Sequence, residues 1–166
     1  MLRLSKKTDY ALMAMKHLAS DPRCQAASAR EIAEKYDIPV ELMAKVLTRL
    51  VRSGLLTSHQ GIHGGYELAQ PPAATSVAAV IEAIDGPLTL TVCAQGDAQC
   101  DQFSKCNVRD PLRHIRDRIG AILAEWSISE MAADLNPSTS TSPVSVVPSP
   151  VTRRASAALS AASRER

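Results

Sequence analysis

Cys93, Cys100 and Cys106 fall within fourteen residues, in a polar stretch without helical or strand periodicity. Thiolates are nucleophiles and soft metal ligands, so a cluster of this kind marks a metal or iron–sulphur loop or a thiol sensor. The gaps between the three are six and five residues. Zinc sites more commonly open on a cysteine pair about two to four residues apart, so a zinc knuckle is disfavoured, though it stays open. Soft thiolates on a flexible loop suit an iron–sulphur cluster, whose ligands are mostly cysteine. Three thiolates leave a fourth ligand to find. Cys24, between the first two expected helices, reads as an incidental thiol.

The rest of the chain must position that loop. Its 166 residues make one ordinary domain with room for an appendage. Hydrophobic residues supply 45% of the sequence, but only Phe103, Trp126, Tyr10, Tyr36 and Tyr66 are aromatic, which favours packed helices over a sandwich. No apolar run approaches the ~20 residues that cross a bilayer. The opening MLRLSKKTDY has no apolar stretch of the length a secretory signal needs. The expectation is a cytoplasmic protein with no membrane partner, in a compartment where structural disulfides are rare.

The formal charge of +2 is unevenly spread. Residues 1–70 carry ten Lys/Arg against seven Asp/Glu, residues 71–135 five against nine, and residues 136–166 four against one. A basic first part joined to an acidic second part suggests a nucleic-acid reader attached to a domain with another task. The expected division is a DNA-binding domain over 1–70, a cysteine loop and dimerisation helix over 71–136, and a tail over 137–166. That tail is dominated by Ser, Thr, Pro and Ala and is expected to be disordered, because it cannot bury enough apolar surface to offset its ordering entropy.

Helix starts are legible in the first 135 residues. Ser5 caps a helix over about 6–19 with Ala11, Ala14, Met15 and Leu18 at helical spacing. Ser28 and Glu31 form a capping box. Pro39 opens a third helix whose expected apolar stripe is Leu42, Val46, Leu47, Leu50 and Val51, and Gly54 ends it. Strand candidates Leu55–Ser58 and Tyr66–Leu68 flank a turn containing Gly61, Gly64 and Gly65. Ser76 caps a helix that Gly86-Pro87 stops. Asp110-Pro111 opens a long helix, and Ser127 with Glu130 caps a short last one.

Three helices followed by a hairpin is the order of a winged helix-turn-helix. The expected fold is mainly α: a winged helix-turn-helix, a long C-terminal dimerisation helix and a disordered tail. Burying the third helix's stripe leaves Glu41, Lys45, Thr48, Arg49 and Arg52 outward. Lys45, Arg49 and Arg52 stand at i, i+4 and i+7, a basic row that can enter a major groove and touch its phosphates. The wing tip offers His59, Gln60 and His63 but no arginine. On the long helix, Leu112, Ile115, Ile119, Ile122 and Trp126 alternate in steps of three and four, a seam for a second copy. No nucleophile–base pair or phosphate loop is present, and GIHGGY sits in a hairpin rather than before a helix. The chain is not expected to be an enzyme. An electron-transfer or metal-carrying protein is a rival reading that leaves the basic helix and wing unexplained.

The runs MLRLSKKTDYALMAMKHLA, REIAEKYDIPVELMAKVLTRLVRSGLL and GIHGGYELA, followed by the three cysteines, resemble a family of bacterial winged-helix regulators. It includes the Isc iron–sulphur regulator, the nitric-oxide-sensing repressor and the Suf-system regulators, and the resemblance covers about residues 1–135. It implies a homodimer on a partly palindromic double-stranded DNA operator, with Glu41, Lys45, Thr48 and Arg49 in the major groove and Gln60 in the minor groove. The Isc-type regulator has Arg where this chain has Gln60, and Glu and Gln where it has Ala44 and Lys45, so operator sequence does not transfer. The resemblance also implies a [2Fe–2S] or [4Fe–4S] iron–sulphur cluster on Cys93, Cys100 and Cys106. The Isc-type fourth ligand, a histidine three residues after the third cysteine, is replaced here by Arg109. In the nitric-oxide branch an aspartate of the partner subunit fills that role, and its counterpart is Asp9. A carboxylate near a helix N-terminus also has a purely structural reading there, and His114 and Asn107 are alternative ligands. The expected function is a cluster-switched repressor governing iron–sulphur assembly genes, with a cluster-free thiol or redox sensor as the alternative.

Overall fold

The computed structural model describes residues 3–20, 26–61, 64–91 and 101–133. The tail expected from residue 137 and the candidate ligands Cys93 and Cys100 lie outside them, as do Cys24 and His63.

Local capping chemistry sets most helix starts. Helix α1 spans Lys6–Ser20, and the Ser5 hydroxyl accepts the Thr8 amide at 3.2 Å. Helix α2, Ala29–Lys35, opens on the capping box of Ser28 and Glu31. There the Ser28 amide donates to the Glu31 carboxylate at 2.6 Å, and this bond chiefly holds the Glu31 carboxyl below its usual range. Helix α3 runs Val40–Arg52. Gly54 closes it with φ of 76°: its amide reaches Val51 O at 3.0 Å and the Leu55 amide reaches Leu50 O at 3.0 Å. This double bond is the Schellman arrangement, in which the left-handed position favours glycine.

The hairpin pairs β1, Leu56–His59, with β2, Gly65–Leu68, in antiparallel register Leu56↔Leu68 to His59↔Gly65. Strand β1 is shifted by one residue at both ends from its expected span, and β2 starts one residue earlier than expected. A third segment joins them: Ala27 bridges Tyr66 through two backbone bonds of 3.1 and 2.9 Å. Gly65 permits the approach, since a Cβ there would lie 2.8 Å from the Ala27 carbonyl carbon. The wing is thereby tied to the entrance of α2.

After a 3-10 turn at Pro72–Ala74 come α4, Val77–Asp85, capped by Ser76, and, past the cysteine segment, α5, Arg109–Glu125. Helix α5 starts one residue before the expected Asp110, with Pro111 inside its first turn, where a missing amide costs no helical bond. Helix α6, Ile128–Ala132, opens on the Ser127–Glu130 capping box. Its start is paired with that of α4: Val77 donates to Trp126 O and Ile128 to Thr75 O, both at 2.8 Å.

Helix α1 packs against α3, α4 and α6. The buried cluster of Ala11, Ala14, Met15, Ile32, Met43, Leu47, Leu50, Leu56, Val80 and Ile128 runs across residue 70 without a break. The stripe of α3 differs from the sequence expectation. Met43, Val46, Leu47 and Leu50 are buried, while Leu42 and Val51 are half-buried flanks. Met43, Leu47 and Leu50 follow the i, i+4, i+7 rule and point into the common core, so the buried face is rotated slightly from the stripe expected.

Candidate nucleic-acid interface

Because α3 buries its Met43–Leu50 face, Glu41, Lys45, Thr48, Arg49 and Arg52 all stand exposed. With Ala44, Ser53 and Ala83 they line one open groove of about 790 Å³ beside the end of α4. Three cations against one carboxylate make this surface electropositive, as a polyanion reader requires. Arg49 is not a free arm: its Nε donates to the Ala83 carbonyl at 2.9 Å, which fixes the guanidinium between α3 and α4. The Thr48 hydroxyl donates back to Ala44 O at 2.7 Å, which spends its proton and leaves its oxygen as an acceptor. The groove brings together four of the expected DNA-contacting residues but not Gln60, which stands exposed on the wing just beyond β1.

The wing base is braced by His59, whose Nε2 lies 2.7 Å from a Glu67 carboxylate oxygen that also accepts from the Thr57 hydroxyl at 3.1 Å. The His59 contact is the main reason the Glu67 carboxyl is held below its usual range.

A second polar junction lies where α4 ends. Asp85 accepts the Ser5 hydroxyl at 2.6 Å and the Ser5 amide at 3.1 Å. Burial pushes its carboxyl up, but the bonds from Ser5 and Thr8 and the charge of Arg49 outweigh this and hold it low. Neither Asp85 nor the Arg49–Ala83 bond was found by sequence reasoning. Their partners are 80 and 34 residues away, and no periodicity encodes such a pairing.

Cys106 is half-buried with a free thiol, where a 3-10 turn leads towards α5. Asp9 is exposed on the first turn of α1, and Asn107 and His114 are exposed before and on α5. Among the described residues no three His, Cys, Asp or Glu side chains converge as a metal site. Helix α5 buries none of its side chains: Ile115 is 49% and Ile122 52% exposed, and Leu112 and Ile119 are half-buried.

The family model described as "Rrf2: Iron-dependent Transcriptional regulator" matches residues 4–134. The chain belongs to the Rrf2 family. Among curated relatives, the HTH-type transcriptional regulator IscR of Yersinia pseudotuberculosis is 30% identical over 130 residues, covering 78% of this chain and 79% of that protein. Among solved structures, CymR, the global cysteine regulator of B. subtilis, superposes with a TM-score of 0.65 at 25% identity, covering 80% of this chain and 97% of that one. The T. potens IscR structure gives 0.63 at 22% identity, covering 85% and 93%; at that identity the likeness concerns fold alone.

Rrf2 membership makes this chain a DNA-binding transcriptional regulator rather than an enzyme, and its architecture is the winged helix expected from sequence. No helix among the described residues is long and apolar enough to cross a membrane.

Proposed function

We propose that this Rrf2 regulator binds a palindromic operator as a homodimer, and that an iron–sulphur cluster on Cys93, Cys100 and Cys106 sets its operator affinity. The observation that carries the reading is three thiols between α4 and α5 in a chain whose family is described as iron-dependent. Soft thiolates fit such a cluster. When bound, the cluster supplies a redox couple and a centre reactive towards oxygen or nitric oxide. Asp9 of the partner subunit is the proposed fourth ligand: it is exposed, and Arg109 occupies the alternative histidine position. On the DNA side, Lys45 holds phosphate, Arg49 reads a base edge from its tether at Ala83, Glu41 and Thr48 offer acceptors, and Gln60 reaches the minor groove. Iron–sulphur assembly genes are the proposed targets. The apolar stripe of α5, with Ile115 and Ile122 uncovered, supports a second copy as its partner, in a seam of two α5 helices.

Likeness to the global cysteine regulator favours one second reading, a thiol switch without a cluster. Anaerobic purification separates the two. Visible absorption that Cys106→Ala removes supports the cluster, whereas a colourless protein whose operator binding responds to thiol oxidants selects the switch. Asp9→Ala is expected to leave a cluster that bleaches faster in air. A spectrum perturbed by His114→Ala but not by Asp9→Ala would transfer the fourth position to His114.

A further inference from the structure

Beside the open groove lies a smaller pocket of about 120 Å³, lined by Lys7, Leu42, Lys45, Val46, Arg49 and Ile84. It is formed by the first turn of α1, the middle of α3 and the end of α4. All of its ionisable lining is cationic, and no carboxylate is part of it. Gathering three positive charges around one small space is unfavourable unless an anion joins them. The side chains of Lys7 and Lys45 make no ion pair or hydrogen bond with any described residue, so their charge is not spent within the protein. Arg49 is held in place by its bond to Ala83 O. The nearby counter-charge, Asp85, is turned to the Ser5 amide and hydroxyl. The N-terminal end of the α1 dipole adds positive potential on the same side.

Lys45 and Arg49 line both this pocket and the larger groove, so an anion in the pocket sits at the edge of the surface that faces bases. A phosphoryl group fits the charge, the size and that position. We propose that Lys7 and Lys45 grip one phosphate of the DNA backbone at this pocket, beside the Arg49 that reads the adjoining base edge, which makes α1 part of the interface. This rests on the reading of α3 as the DNA-reading helix. Phosphate contacts set register and orientation rather than sequence choice, and a grip shared by two helices fixes the angle at which α3 enters the groove.

The test is a salt titration of the full-length protein on operator and random DNA. Lys7→Ala is expected to weaken both equally and to flatten the slope of log affinity against log salt by about one unit. Between about 50 and 200 mM salt, the variant then loses about 3.5-fold less affinity than the parent. Lys7→Arg is expected to restore the slope. An unchanged slope in Lys7→Ala, or a loss confined to the operator, overturns the proposal. Lys45→Ala and Arg49→Ala run alongside: if they weaken binding while Lys7→Ala does not, the grip fails and the α3 reading stands. If all three leave binding unchanged, the α3 reading itself fails. Inorganic phosphate titrated into DNA-free protein tests the source of the anion. Amide shifts around Lys7 that saturate at concentrations leaving operator binding unchanged would assign the pocket to a free anion and overturn the backbone source.

Discussion

Helices α3 and α5 both carry apolar side chains every three or four positions, yet they are held in different ways. Helix α3 buries Met43, Val46, Leu47 and Leu50 at 2% exposure or less, whereas α5, although four residues longer, buries none. Each fully buried side chain of this kind contributes about 1.5–3 kcal/mol, so α3 is locked by its own chain. The stripe of α5 stands half in water, an arrangement that a partner surface improves and that isolated folding does not require. Division of labour follows. On the proposed function, the helix that presents Lys45 and Arg49 is the one held by its own core. On the same reading, the helix that follows the cysteine segment is the one a second copy covers.

The sharpest way to break this contrast is to attack each helix at its seam. Leu47→Ala removes a fully buried side chain of α3 from the core and leaves a cavity, for an expected loss of about 2–5 kcal/mol. Chemical denaturation should show the lowered midpoint at every protein concentration. A loss under about 1 kcal/mol would mean that the α3 core is not what fixes the reading surface.

Ile122→Glu makes the opposite prediction. The position is 52% exposed, so the isolated fold should tolerate a carboxylate, and far-ultraviolet dichroism should be unchanged. At a seam between two copies, the same change places like charges face to face and desolvates them. Sedimentation should show monomers, and operator affinity should fall because two half-sites are no longer bound as one unit. An intact dimer would remove α5 from the seam.

What could be read from the sequence divides along a similar line. Ser28 with Glu31, Ser76, Ser127 with Glu130, and Gly54 all act within four residues of themselves, so type and spacing sufficed to place the helix ends. The outward row of α3 was legible because it is the complement of an apolar stripe, even though Met43 rather than Leu42 proves to be central. The Ala27–Tyr66 bridge was not legible: one residue pair has no periodicity, and the reason for Gly65 appears only when Ala27 lies against it. Lys7 likewise reads as a solvated lysine until α1 is set beside α3 and α4. The Asp85 junction depends on three elements meeting, and local pattern holds no trace of that.

Asp85, the last residue of α4 before the chain leaves for the cysteine segment, offers the smallest effect. Its carboxyl is held below the usual range in the folded protein. A depressed folded pKa means that the unfolded chain binds the proton more readily, so the contribution to stability is full above the unfolded value of about 3.9. It is lost as the pH falls through the folded value. Asp85→Asn keeps the shape but lacks the charge, so the stability gap between parent and variant should be open at neutral pH and close as the solution is acidified. Glu31, Glu67 and Glu130 are shifted in the same direction, but they are common to both proteins and cancel in the difference. The side chain is largely exposed and solvent screening is strong, so the gap should be a modest fraction of the Leu47→Ala effect. Thermal melts of the pair across the acid range measure it. A gap that stays constant with pH would show that the carboxylate's charge does not hold α1 to the end of α4.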